Sequence, residues 1–126
     1  MRHIHAQSMR TDGGATLSGA FTETGSTEVT LDSTVAASQT DSLIACAFDK
    51  DTLQSVFIVA DRDCSLQTNS AGSPPTTIAL KSGIALQWSA SAAYHANPFA
   101  AADVTAFYLT TGAGGSTRLQ ARILNT

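Results

Sequence analysis

The chain has 126 residues, 43% of them hydrophobic and 13% charged, with a formal net charge of −3. The length suits one domain with one packed core, and the charged content is about half the ~25% of an ordinary soluble domain. Only seven Lys and Arg are present, scattered along the chain, so no basic stripe exists to neutralise phosphates, which excludes a general nucleic-acid binder.

No apolar run approaches the ~18 residues of a membrane span. The start, MRHIHAQSMRTDGG, lacks the apolar stretch of a secretory signal. Neither nucleic acid nor membrane is therefore expected as a partner. The polar surface has to come from Ser, Thr, Gly, Asn and Gln, as in extracellular β proteins or protomers of an assembly.

Residues 1–20 are polar, hold Gly13, Gly14 and Gly19, and carry little strand signal. They are expected to form an extended N-terminal arm, ordered in part by a neighbour, with residues 21–126 as a single β-sandwich domain. His3 and His5 form a His-x-His pair. On a strand both rings would share one face, as half a transition-metal site. No Cys, Asp or Glu stands beside them to complete a shell, so both are taken as contact residues of the arm.

Phe21 to Val35 alternates as one half-buried strand, with Val29 and Leu31 on one face and Glu28, Thr30 and Asp32 on the other. Ser42 to Phe48 is the next strand and places Cys46 in the core. Asp49 to Thr52 is a polar break that predicts a hairpin turn into the strongest apolar run, Leu53 to Ala60. That hairpin would bring Asp41 back beside Asp61 and Asp63. The three form a candidate calcium set, weighed against solvated strand ends offset by Arg62, and no metal is expected.

Cys64, Leu66 and Thr68 alternate into a loop that ends in Pro74-Pro75, which removes two N–H donors. Ile78–Leu80 and Ile84–Trp88 are strands separated by Lys81-Ser82-Gly83. Cys46 and Cys64 are expected to be free thiols, since a bridge between them would need a sharp reversal. Ser89 to Ala102 is a loose loop with Tyr94, His95, Pro98 and Phe99, a surface suited to contacts. Asp103–Thr110 and Thr117–Leu124 are the last strands, joined by a Gly-rich tip. Arg118, Gln120 and Arg122 point outward on what is expected to be an edge strand. Together these give about eight strands, an all-β, antiparallel, jelly-roll-like sandwich.

No catalytic set assembles from these residues. There is no Gly-x-Ser-x-Gly elbow, no carboxylate near His95 in sequence, no facing carboxylate pair of the glycosidase kind, and no phosphate or dinucleotide loop. The chain is expected not to be an enzyme and to need no cofactor. The interface candidates are His3, His5, Trp88, Tyr94, His95 and Phe99.

LQSVFIVADRD, the Thr68–Pro74 turn, IALKSGIALQW, PFAADVTAFYLTTGA and the closing LQARIL resemble a group of small virion proteins of tailed bacteriophages, over about residues 41–124. The resemblance implies a capsid cement or decoration protein on the capsid surface of the virion, made in the host cytoplasm. Its implied partner is the major capsid protein, with self-association as a dimer or trimer on the capsid. It carries no active-site residues. Residues 1–20 have no counterpart in it. Two other assignments stay open: a trimeric tail or fibre protein, and a carbohydrate-binding β-sandwich with Trp88 and Tyr94 as stacking rings.

Overall fold

Ten strands follow one another through the computed structural model, which describes residues 1–91 and 94–126. They are β1 (Arg2–Arg10), β2 (Thr16–Thr24), β3 (Thr27–Val35), β4 (Ser42–Ile44), β5 (Leu53–Ala60), β6 (Cys64–Thr68), β7 (Thr77–Leu80), β8 (Leu86–Ser89), β9 (Phe107–Thr111) and β10 (Thr117–Asn125). From β3 onward the pairing is nested. β3 lies beside β10, β4 beside β9, β5 beside β8, and β6 beside β7, all antiparallel. Further pairs, β10 with β5 and β6 with β9, roll this ribbon into two four-stranded sheets, β3-β10-β5-β8 and β4-β9-β6-β7. That connectivity is a jelly roll, so the chain forms the expected all-β sandwich. Leu53 to Trp88 is the inner half of the rolled ribbon.

Period-two alternation builds the core. Val56, Ile58 and Ala60 of β5 face inward, in register with Ile123, Ala121 and Leu119 of β10. Leu66, Leu80, Phe107 and Leu109 meet them from the other sheet. Each such side chain gains about 1.5–3 kcal/mol on leaving water. At one end Phe48, Phe99 and Phe107 form an aromatic cluster, with Phe48 edge-on to Phe99 at 5.2 Å between ring centroids.

Several local expectations change. The Phe21–Val35 strand is two strands, broken at Gly25-Ser26. The hairpin across Asp49–Thr52 does not form, because β4 and β5 belong to different sheets. After Ile44 the chain leaves its sheet and drives Phe48 into the core, held by a single bridge to Val104. Asp49 Oδ1 then accepts from Asp51 N and Asp103 Oδ1 from Lys50 N, turning the chain across the sandwich end. β10 is not an edge strand but lies between β3 and β5; Arg118, Gln120 and Arg122 do point outward. Phe99 is no interface residue, being wholly buried.

Both cysteines are free. Burial pushes the Cys46 thiol up to about 12; burial, then Asp63 and Asp61, push Cys64 upward as well. Cys46 is buried in the core and Cys64 only half-buried at the start of β6. Since the thiolate is the reacting form, a thiol reagent at pH 8 should label Cys64 of the native protein first and Cys46 only on unfolding. Equal, rapid labelling of both would place Cys46 outside the core.

Candidate functional site

Residues 1–20 do not form a single extended arm. β1 and β2 pair along their full length, Arg2 with Thr24 through Arg10 with Thr16, as a hairpin separate from both sheets. Thr11–Ala15 closes it, with Gly14 N donating to Thr11 O at 2.8 Å and Gly13 at φ 73°. The arm thus ends at Gly25, beyond the expected boundary at residue 20, because Phe21–Thr24 pairs with His5–Arg2. One hairpin face carries His3, His5, Gln7 and Met9 on β1, opposite Glu23, Phe21, Gly19 and Leu17 on β2.

The base of that face is seated on the outer side of β5, β8 and β3. Ser55 Oγ lies 2.9 Å from His3 Nδ1 and 2.7 Å from His5 Nε2. His3 Nε2 reaches Glu28 Oε2 at 2.5 Å, and His5 Nδ1 reaches Gln87 Nε2 at 2.6 Å. Gln7 Nε2 donates to Gln87 Oε1 at 2.8 Å. Beside them Glu23 Oε1 accepts from the hydroxyls of Ser89 and Ser91 and from Ser91 N. His5 stacks on Phe21 at 4.6 Å between centroids. Ser55, His3, His5 and Glu23 are all buried, and buried polar groups need such partners.

The environment shifts the charges. Burial, and then His3, lower the affinity of His5 for a proton, against a smaller opposing effect of Glu23. Burial pushes Glu23 upward, but the hydrogen bonds from Ser89 and Ser91 outweigh it and hold the carboxyl below its ordinary range. The hydrogen bond from His3 does the same for Glu28. Glu28, His3 and Ser55 stand in the order of a hydrolase triad. However, Ser55 has no exposed surface, and the second imidazole occupies the other side of its hydroxyl.

Beyond the base the hairpin overhangs the sandwich. Residues 6–20 are all exposed, so the ribbon stands out by roughly 15–20 Å at about 3.4 Å per residue. Met9 and Leu17 pair across it at 73% and 74% exposure. They lie on the face that grips the sandwich at the base, and among the described residues both stay largely uncovered. Between the hairpin and the β8 edge is a cleft of about 570 Å³, which Gln7, Phe21, Gln87, Trp88, Tyr94 and His95 help to line. Trp88 is half-buried against the core and donates its indole N–H to His95 O at 3.1 Å. Tyr94 is fully exposed.

The remaining candidates lie apart. Asp41 bonds through its N–H to Thr110 Oγ1, Asp61 Oδ1 accepts from Arg118 N, and Asp63 Oδ1 accepts from Ser82 N. Their convergence depended on a β4–β5 hairpin; without it Asp41 bonds at the start of β4, while Asp61 and Asp63 share the β5–β6 turn, where Ser82 donates to both. Among the described residues no His, Cys, Asp or Glu group is placed to hold a metal ion. Ser55, Glu23, Glu28, Gln87, Met9 and Leu17 escaped the sequence reading. Ser55 was signalled by being a lone hydroxyl inside an apolar strand, and Glu23 and Glu28 are the only glutamates of the chain.

Fold and site together define a jelly-roll domain with a β-ribbon latched to its outer face. Comparison with family models, curated proteins and solved structures finds no match.

Proposed function

We propose that this chain is a structural virion protein of a tailed bacteriophage, a capsid cement or decoration protein that bridges and stabilises major capsid subunits. The observation that carries this is the overhanging ribbon. Its base is bound to its own domain, while the Met9–Leu17 pair on the same face is uncovered. A ribbon anchored at one end and apolar at the other suits reaching across to a second subunit. The sparse charge of the chain lets a large area be buried without desolvating ions. Jelly rolls serve in viral capsid and lectin domains alike, so the fold by itself assigns neither role. A protein that binds only the assembled shell stabilises it through linkage.

The test is to add purified protein to heads lacking it and to follow saturation and melting. Saturable binding with a higher melting temperature supports cement; no binding to heads overturns it. Replacing residues 8–18 with a two-residue turn should change the stability of the free domain by no more than about 0.5 kcal/mol, as for exposed sites elsewhere. The same change should weaken attachment to heads at least about tenfold, the effect of losing ~1.4 kcal/mol of contact.

The shared cleft of Trp88 and Tyr94 favours a second assignment, a glycan-binding module with aromatic stacking. Glycan-array binding lost in Tyr94→Ala, with heads left unbound, would select it.

A further inference from the structure

The hydrogen bonds under the hairpin run in one direction. Gln7 donates to Gln87 Oε1, and Gln87 Nε2 donates to His5 Nδ1. His5 Nε2–H then donates to Ser55 Oγ, Ser55 O–H to His3 Nδ1, and His3 Nε2–H to Glu28 Oε2. In this arrangement His5 is neutral with its proton on Nε2, because its Nδ1 accepts from the Gln87 amide. The row stitches β1 to β8, β5 and β3, so the attachment of the hairpin depends on it.

A second proton on His5 has to enter at Nδ1, which faces the Gln87 amide nitrogen, donor against donor. Keeping a bond there requires the Gln87 amide to reverse, and that of Gln7 with it, while the charge stays buried. We propose that the hairpin seat is a proton-operated latch: neutral His5 holds the β1–β2 ribbon against β5 and β8, and protonated His5 lets the base of the ribbon lift.

The charged and titratable surroundings are few. His3 on β1 and Glu23 on β2 act directly on His5 with opposite signs. Glu28 on β3 lies beyond His3, with Arg122 of β10 acting on it. Arg2 and Arg122 line a shared hollow with both histidines. From β5 and β8 the groups bonded to His5 are the neutral Ser55 and Gln87. Because His5 binds its proton less readily when folded, its contribution is complete above the ordinary value of 6.5. It is lost as pH falls through the lower folded value. Glu23 and Glu28, also lowered, add losses only below their ordinary 4.5. The interval between these values therefore separates His5 from both carboxylates.

The test is amide hydrogen exchange of the full chain, corrected for intrinsic rates, from pH 7.5 to 5.0. Protection of residues 2–6 and 20–24 should fall at least about tenfold while β10 keeps its protection. If the hairpin base stays as protected as β10, there is no latch. His5→Gln can donate to Ser55 and accept from Gln87 without titrating, and should flatten the profile; an unchanged profile would overturn His5 as the sensor. Should that variant fail to fold, nitrogen NMR of the native protein decides. His5 must carry its proton on Nε2 alone at pH 7.5, and a charged or Nδ1–H ring there overturns the proposal. None of these readouts involves a capsid, so the latch stands or falls separately from the cement assignment.

Discussion

Phe99→Ala should lower the stability of the domain by about 3–5 kcal/mol, the usual cost of emptying a phenylalanine site in a core. For a chain of this length that is a fall in melting temperature of roughly 11–19 °C. Phe99 comes from an irregular loop, yet it has no exposed surface. Asn97 makes this happen: its Oδ1 accepts from Phe99 N at 2.8 Å, its carbonyl accepts from Ala100 N, and its Nδ2 donates to Lys50 O. The turn so formed plugs the ring between Phe48 and Phe107 at the sandwich end. Phe99→Leu should recover a good part of the loss. Denaturant melts of both variants check this, and a loss below about 1 kcal/mol for the alanine would show that the site collapses or that the ring is not core.

Gly25→Ala should cost about 1–3 kcal/mol, in the manner of other overpacked sites, and it should also loosen the hairpin. Gly25 joins β2 to β3. A Cβ there would come within 2.5 Å of Asn125 O and 2.7 Å of Leu124 Cγ. The first of these is backbone held in place by Ser26 N at 2.8 Å, so it has little freedom to give way. Gly25 also exchanges hydrogen bonds with Met1, donating to its carbonyl at 3.0 Å and accepting from its amino group at 2.9 Å. Moving the corner therefore disturbs the hairpin as well as the end of β10. Denaturant melts read the first effect, and exchange rates of residues 2–6 relative to β10 read the second. Wild-type values on both counts would mean that the chain can open the corner without strain.

Most of the sandwich could be read from alternation. In Cys64–Thr68 and Thr117–Ile123 the inward and outward residues fall as their spacing implies, whereas the apolar run Val56–Val59 suits a strand buried on both faces and instead leaves Phe57 exposed on the outer one. Period two is a local property, so it survives whatever the partner strand is. The hairpin was also within reach. Asp12-Gly13 between two stretches of alternating residues is a turn signal in its own right, but few β-branched apolar residues flank it and the segment reads as an extended arm. Beside Leu124, which is wholly buried on the outer face, β1 and β2 are held on the domain by paired polar groups from strands far away in the chain, which leave little mark on hydrophobic pattern.

Partner choice belonged to a different level. Asp49–Thr52 suits a hairpin as well as a crossover, because the same Asp-to-backbone bonds serve both. β4 takes β9 as neighbour in the rolled ribbon, and the chain beyond it carries Phe48 into the aromatic cluster. The same long-range closure puts β10 between β3 and β5 and separates Asp41 from Asp61 and Asp63 as a metal set. It also brings Glu28, Ser55 and Gln87 under His3 and His5. Composition and alternation therefore settled that the chain is an antiparallel β domain with free thiols and little charge. Which strands meet, which phenylalanine is core, and which polar residues form the latch depended on contacts between residues far apart in the chain. Their energies appear only once the ribbon has closed.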